Sequence, residues 1–206
     1  THLLESKAER DWLDKSEGEF VPFFNDLLKQ KKAVCTPLEF IQQFNNYPTL
    51  FTHGIELNNN ELEQILKHKH TIIHSPISNR LLGNGRLAVE NLREKKIPWI
   101  LGTDGLSSNY KLDLFEEMKI ALFIHFKAPL ALFAKLLINN ATINSAKALG
   151  LNTGSIEKNK NADMVALELS FDLKERQMEN FYYHLILHDK KITHTIINGE
   201  IIYESN

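Results

Sequence analysis

The sequence has little cysteine, no long apolar run and no excess of either charge. The single cysteine, Cys35, excludes an internal disulfide and favours a reducing compartment, so we expect a cytoplasmic protein. The apolar runs are interrupted by Lys, Asn or His well before the roughly 20 residues that a membrane helix needs. Lys and Arg number 24 and Asp and Glu 26, which gives no support to a nucleic-acid surface. We therefore expect neither a membrane nor a nucleic acid as a partner.

Short apolar runs alternate with helical stretches through most of the chain. Strands are predicted at Leu50–His53, Thr71–His74 and Pro98–Asp104. Helices are predicted at about 58–68 and 87–95, after Asp113, and at about 130–138 and 141–149. Alternation of this kind is typical of a parallel α/β sheet. The hydrophobic content of 43% in 206 residues is sufficient for a substantial core.

The end of the chain has a different pattern. Asp163–Leu167 and Ile192–Ile197 are predicted to be strands, and Asn198-Gly199 between two apolar runs predicts a hairpin that returns through Ile201–Tyr203. We expect the chain from about residue 155 onward to leave the α/β layer and to form a small β appendage.

A mostly helical insert is predicted between the chain start and His53. Helical spacing is present over 9–13 and 20–28, and Thr36 opens a further helix with a capping box to Glu39 and Pro37 in its first turn. Six aromatic residues of this insert are expected in the core, the alternative being that one or two line a substrate pocket: Trp12, Phe20, Phe23, Phe24, Phe40 and Phe44.

Polar residues end the predicted strands at His53, His74 and Asp104. In α/β barrels the chemistry lies at the carboxyl ends of the strands. His2 would end an earlier strand, and Glu5 follows it closely enough to face the same space. Imidazole and carboxylate groups hold a divalent metal, which brings the pKa of bound water near neutrality. Asp104 could then accept a water proton and Glu5 could carry a proton to the substrate. The alternative is that these residues only mark strand ends.

Several motifs occur in the order and with the approximate separations of a known family. They are Thr1–Ser6, Thr52–Gly54, His74–Gly85, Leu101–Asn109, Ala146–Leu151, Gly154–Glu157 and Ala162–Val165. On these motifs the chain resembles the carboxyl half of the amidohydrolase superfamily, in its nucleoside and nucleobase deaminase and chlorohydrolase branch. The resemblance implies an α/β fold in which residues 1–154 form part of a (β/α)8 TIM-type barrel, from the end of strand five through strand eight. Residues 155–206 would then form the β appendage.

The resemblance also implies roles for the matching residues. His2 matches a metal ligand, Glu5 a proton-shuttling acid, and His53 a residue that orients or polarises the attacking water. Asp104 matches a residue that is both a metal ligand and a general base. The cofactor implied is one divalent metal, zinc, with iron(II) as the alternative.

Substrate contacts are implied less directly. Ser108 matches a position that contacts the substrate in adenosine-type deaminases, and Asn79 and Arg80 are plausible pocket residues. The substrate implied is a small purine nucleoside.

One departure from the family pattern concerns the metal site. The two remaining ligands of the family form a His-x-His pair, which the start of this chain lacks. His68 and His70 have that spacing, but they lie where a helix leads into a strand, so we do not expect them to bind the metal. The first residues, Thr1 to Glu5, also carry neither an initiator methionine nor a signal pattern.

We therefore expect a fragment that needs the missing amino-terminal half of the barrel and is inactive alone. Exposed strand edges would make it pair with that half, form a homodimer or aggregate. A non-catalytic structural half-domain is the non-enzyme alternative.

Within the branch, three features resemble the aminofutalosine deaminase group. They are the residues from His2 to Ser6, the following helix with Glu9 and Trp12, and the run Asn79–Leu82. The resemblance implies a hydrolytic deaminase of an adenine-type nucleoside, acting on 6-amino-6-deoxyfutalosine in menaquinone biosynthesis. The alternatives are an S-adenosylhomocysteine or methylthioadenosine deaminase, a guanine deaminase and a chlorohydrolase.

Overall fold

Four parallel strands form a sheet in the first part of the computed structural model, which describes residues 1–172 and 180–205. They are hydrogen-bonded in the order β1 (His2–Leu3), β2 (Leu50–His53), β3 (Thr71–His74) and β4 (Trp99–Leu101). Leu3 is opposite His53 and His74 is opposite Leu101, so the carboxyl ends of all four strands lie along one edge of the sheet. The prediction of a parallel α/β sheet is confirmed.

Helices connect these strands. They are α1 (Lys7–Lys15), a π-helix (Phe23–Leu27), α2 (Pro37–Gln42), α3 (Asn59–Lys67), α4 (Pro76–Leu81) and α5 (Val89–Glu94). α2 and α3 each begin with a capping box, formed by Thr36 with Glu39 and by Asn58 with Glu61. These reciprocal hydrogen bonds satisfy backbone donors at the helix start, which is why the two starts were predictable from the sequence.

The aromatic residues of the helical insert only partly form the core. Trp12 is 2% exposed and stacks on Phe24 with ring centroids 4.2 Å apart. Phe23 is 52% exposed, so its predicted place in the core is wrong. The predicted helix over 20–28 contains the π-helix, whose wider turn shifts side chains off the spacing of an α-helix. The other four aromatic residues are half-buried.

A buried ion pair links α1 to α3. The Arg10 guanidinium donates to both carboxylate oxygens of Glu61 at 2.8 and 2.5 Å, and also to the carbonyl of Glu56. The Glu61 side chain is 2% exposed, and these donors compensate its removal from water. The pair therefore fixes α1 against α3.

The second part of the chain contains helices and an antiparallel sheet. The elements are α6 (Leu114–Ile124), α7 (Leu130–Ala141), α8 (Ile143–Ala148), β5 (Met164–Leu169), α9 (Phe181–Leu187), β6 (Lys190–Ile197) and β7 (Glu200–Glu204). The sheet order is β5-β6-β7. Asn198 and Gly199, with φ of 51° and 84°, form the two-residue turn between β6 and β7, so the predicted hairpin is confirmed.

By contacts the chain divides into two units, Thr1–Leu112 and Asp113–Asn206. The predicted boundary between residues 154 and 155 separates the partial barrel from the β appendage. It is a different criterion from the division by contacts, and it stays a prediction. Among the helices of the described residues, none has the length and hydrophobicity to cross a bilayer.

His70 lies fully buried at the amino end of β3, where its Nδ1 accepts the Thr49 N–H at 3.1 Å. It is therefore far from the strand ends that carry His53 and Asp104. Burial lowers the pKa of His70, and the neighbouring His68 lowers this pKa further. The native state consequently holds His70 neutral at pH values where the unfolded chain binds a proton.

We expect His70 to make the protein less stable as pH falls below about 6.5, because protonation then favours the unfolded state. His70→Gln should make the free energy of unfolding depend less on pH between 7 and 5, by at most about 1.4 kcal/mol per pH unit. Urea unfolding at a series of pH values measures this slope. Substitution of the exposed His188 by Gln is the control, and an equal effect of the two substitutions would contradict the prediction.

Candidate active site

The carboxyl ends of β1, β2 and β4 bring three potential metal ligands together. His2 lies on β1, His53 ends β2, and Asp104 follows β4. One ligand atom from each lies within 4.8 Å of the others, and no other group of three or more such residues was found among the described residues. His74 ends β3, but its ring is buried against Trp99, with centroids 6.0 Å apart.

The distances between these side chains are longer than direct hydrogen bonds and are close to those between ligand atoms that bind one metal ion. Asp104 Oδ1 lies 3.6 Å from His2 Nε2, and Asp104 Oδ2 lies 3.6 Å from His53 Nε2. Ordinary hydrogen bonds between N and O are about 2.7–3.2 Å long. Ligand atoms about 2.0–2.1 Å from a tetrahedral zinc ion are about 3.3 Å apart. The spacing therefore leaves room for an ion or a water between these side chains.

An unsatisfied buried atom supports the fit of a divalent ion. His53 is fully buried, its Nδ1 donates to Asn79 Oδ1 at 2.8 Å, and its Nε2 has no hydrogen-bond partner among the described residues. With the proton on Nδ1, the Nε2 lone pair faces the carboxylates of Asp104 and Glu5, each 3.6 Å away. A lone pair beside two carboxylates requires a cation or a hydrogen-bond donor such as water between them, and the neighbouring imidazole of His2 and carboxylate of Asp104 are ligands that fit a divalent metal.

Asp104 is held ionised by its surroundings. Its Oδ2 accepts the Ser78 hydroxyl at 2.7 Å and the Ser108 hydroxyl at 2.9 Å, and its Oδ1 accepts the Gly105 N–H at 2.9 Å. Partial burial raises the pKa of Asp104, but these hydrogen bonds and the nearby His53 outweigh it and lower the pKa to about 2. The carboxylate is therefore negative throughout the physiological pH range.

Glu5 reaches the same space from the turn after β1. Its Oε1 accepts the Asn84 amide at 2.8 Å and lies 3.6 Å from His53 Nε2. Glu9 fixes the turn itself, because its two carboxylate oxygens accept the N–H groups of Leu4 and Glu5, both at 2.8 Å. Glu5 is thus directed at the cluster by its backbone and by its side-chain contact.

The backbone at the three strand ends adopts left-handed conformations. Leu4, His53 and Asp104 have φ of 50°, 73° and 61°. Non-glycine residues rarely adopt such values, which persist only where the surrounding structure enforces them. The enforced turns project side chains above the sheet edge, so the strain is concentrated where the candidate chemistry lies.

The predicted substrate-contact residues occupy different environments. Ser108 contacts Asp104, Asn79 is 1% exposed and contacts His53, and Arg80 is exposed. Their roles toward a substrate stay predictions. His68 and His70 lie at the opposite end of β3 from His74.

Sequence reasoning missed three side chains that hold the cluster: Ser78, Asn84 and Glu9. Ser78 and Asn84 lie 26 and 79 residues from their partners, and no periodic pattern reports such contacts. A local signal existed only for Glu9, because Ser6 and Glu9 have the spacing of a capping box and Ser6 caps α1. That pattern indicated where the helix begins, but it did not indicate that the Glu9 carboxylate accepts the Glu5 N–H.

Residues 1–202 match the model of the amidohydrolase family. The chain belongs to the amidohydrolase family. It is 45% identical over 199 residues to the aminodeoxyfutalosine deaminase of a Nitratiruptor species. The aligned region covers 97% of this chain and 48% of that protein. It is 34% identical over 206 residues to the adenosine deaminase of Helicobacter pylori, with 97% and 49% covered. The chain thus spans about half the length of the curated relatives it matches.

Solved structures show the same similarity. The amidohydrolase chain is similar to Helicobacter pylori aminofutalosine deaminase in complex with methylthio-coformycin, with a TM-score of 0.89, 32% identity, and 98% of this chain and 50% of that chain covered. An adenosine deaminase from Xanthomonas campestris with bound zinc has a TM-score of 0.74 and 25% identity, with 97% and 44% covered. The predicted family and the α/β, half-barrel fold class are confirmed.

Proposed function

We propose that the protein containing this chain is a metal-dependent hydrolase that deaminates an adenine-type nucleoside. The observation that carries the proposal is the meeting of two imidazoles and two carboxylates at one sheet edge, those of His2, His53, Asp104 and Glu5. Relatives named as deaminases of adenosine-like nucleosides support it.

Each residue has a definite task in this mechanism. A divalent ion bound by His2 and Asp104 would supply acidity, making a bound water ionise near neutral pH. Asp104 accepts the proton of the attacking water and passes it to the departing ammonia. Glu5 protonates the ring nitrogen beside the amino-bearing carbon, which makes that carbon electrophilic, and it recovers a proton from the newly added hydroxyl group as the carbon–nitrogen bond breaks. His53 holds the attacking water by accepting a hydrogen bond at Nε2.

The chain acts, in this proposal, together with the remaining half of the barrel. Within the described residues the parallel sheet ends at β1 and β4, whose outer edges would be completed by further strands. His2 and Asp104 alone are too few ligands for tight metal binding, so the other half would supply the rest. The 206-residue chain by itself should then hold little metal and show no turnover. Stoichiometric metal in the isolated chain would count against this view.

The substrate we propose is 6-amino-6-deoxyfutalosine, which places the reaction in menaquinone biosynthesis. The 45% identity to an aminodeoxyfutalosine deaminase supports it. A 5′-methylthioadenosine or S-adenosylhomocysteine substrate is the second candidate, favoured by a relative of that name at 33% identity. Zinc is the metal we propose, because the ligands are imidazole and carboxylate and a similar structure contains zinc. The single cysteine favours a cytoplasmic location.

A substrate panel tests the function in the protein with both barrel halves. Purified zinc-loaded protein should release ammonia from 6-amino-6-deoxyfutalosine with a larger kcat/KM than from methylthioadenosine, S-adenosylhomocysteine or adenosine. Guanine and a chlorinated triazine should remain unchanged. Preference for methylthioadenosine would favour the second candidate, and turnover of guanine or the triazine alone would contradict deamination of an adenine-type nucleoside.

A further inference from the structure

One short segment contacts three side chains of the candidate mechanism, although these come from three different strand ends. The segment runs from Ser78 to Asn84, through the end of α4 and the loop that follows. Its contacts are Ser78 Oγ to Asp104 Oδ2 at 2.7 Å, His53 Nδ1 to Asn79 Oδ1 at 2.8 Å, and Asn84 Nδ2 to Glu5 Oε1 at 2.8 Å.

The segment is itself well fixed. Ser78 and Asn79 are at most 1% exposed, and the N–H of Asn84 donates to the carbonyl of Asn79 at 3.0 Å, which ties the loop to the helix. Gly83 and Gly85, with φ of 73° and 97°, flank Asn84. An added Cβ at Gly83 would meet no atom within 4 Å, so glycine there serves the backbone conformation rather than close packing.

We propose that the segment 78–84 is the positioning element of the catalytic site, a role that rests on the proposed function. A single rigid connection sets the orientation of the acid, the water-holding imidazole and the base together. Outer hydrogen bonds of this kind fix the tautomer and orientation of the groups that do the chemistry. Asn79, expected from the sequence to contact substrate, is thereby a positioning residue.

The contact to His53 determines which imidazole nitrogen carries the proton. Because Asn79 Oδ1 accepts from Nδ1, Nε2 keeps its lone pair and faces Asp104 and Glu5. Loss of this acceptor leaves the ring free to place its proton on Nε2, where water could no longer donate to it. The orientation of the nucleophile would then be lost without any change in substrate contacts.

The contact to Glu5 selects an oxygen in the same way. Asn84 donates to Oε1, which already faces His53, so the proton that Glu5 transfers is carried on Oε2. A carboxylic acid with one oxygen occupied by a donor presents its proton in one direction only. Asn84 therefore orients the acid, and we expect its removal to lower kcat more than it raises KM.

A pair of substitutions at Asn79, made in the protein with both barrel halves, tests the proposal. Asn79→Leu keeps the branched shape and the number of side-chain heavy atoms but removes the acceptor, and Asn79→Asp keeps an acceptor. We expect Asn79→Leu to lower kcat about 10–100-fold with KM nearly unchanged, and Asn79→Asp to restore most of the loss. Nitrogen NMR of labelled histidine should show the Nδ1–H tautomer of His53 in the wild type and in Asn79→Asp, but not in Asn79→Leu.

Further variants separate positioning from folding. Asn84→Ala should lower kcat about tenfold, since outer contacts of this kind are typically worth about 10–100-fold. Ile77→Val, on the same helix, and Ser75→Ala, a buried hydroxyl without a hydrogen-bond partner among the described residues, should leave kcat unchanged. A raised KM with unchanged kcat in Asn79→Leu and Asn84→Ala would overturn the proposal, as would an unchanged His53 tautomer in Asn79→Leu.

The tautomer measurement also keeps this inference apart from the proposed function. If the wild-type protein deaminates none of the purine nucleosides, the function is wrong. The NMR comparison of Asn79→Leu with Asn79→Asp then still decides whether Asn79 sets the state of His53. A change of the His53 tautomer in Asn79→Leu supports the positioning role of Asn79. An unchanged tautomer overturns that role.

Discussion

Asp104→Asn should abolish measurable deamination and release most of the bound metal from the protein with both barrel halves. Asp104 has two proposed tasks, as metal ligand and as base. Ser78 and Ser108 donate to Oδ2 and the Gly105 N–H donates to Oδ1, so an amide, which keeps only one accepting oxygen, cannot accept all three of these hydrogen bonds. The loss of the base alone should lower kcat by about 10²–10⁴-fold, and the loss of metal adds to it.

Metal content by mass spectrometry and ammonia release together measure this effect. Asp26→Asn is the matched control, because Asp26 is exposed on the π-helix, and it should change neither quantity. Removal of metal from the wild type with a chelator should also stop turnover, and added zinc should restore it. Near-normal turnover of a metal-loaded Asp104→Asn protein would remove Asp104 from the mechanism.

Glu5→Gln should lower kcat by about 10²–10⁴-fold while metal content and melting temperature stay near those of the wild type. The amide keeps a carbonyl oxygen that can accept from Asn84, as Oε1 does now, so the side chain keeps its place. It cannot carry a proton to the ring nitrogen. Because the nucleoside is still bound, KM should change little.

Steady-state kinetics and thermal unfolding of Glu5→Gln test this separation of chemistry from structure. Glu63→Gln on α3 is the control, since Glu63 is exposed and lies outside the cluster. A kcat close to that of the wild type would mean that another group delivers the proton. A large fall in melting temperature would instead mean that Glu5 holds the fold.

Local chemistry made much of the fold predictable. The capping boxes at Thr36 and Asn58 and the turn at Asn198-Gly199 depend on interactions between residues close in the chain. They can therefore be predicted from a short stretch of sequence. α4 was missed, although Pro76 in its first turn was a usable signal. The exposure of Phe23 was not predictable, because it depends on the π-helix and on what packs nearby.

The residues of the candidate site were also predictable only where a local pattern or a motif indicates them. The sequence named His2, Glu5, His53 and Asp104 through strand ends and family motifs, since parallel strands bring their carboxyl ends to one edge. It gave no sign that Asn79 is buried against His53, a contact between residues 26 positions apart. Such contacts depend on the register and spacing of neighbouring strands.

The sequence by itself determined the family, the parallel α/β order of elements and the residue types at the strand ends. These follow from periodicity, turn residues and motifs, each readable within a short window. The tertiary structure alone decided that Ser78, Asn79 and Asn84 hold three separate functional side chains at hydrogen-bond distance. Those hydrogen bonds form only after the sheet has brought distant segments together, because a hydrogen bond acts over about 3 Å while the chain between its partners is far longer.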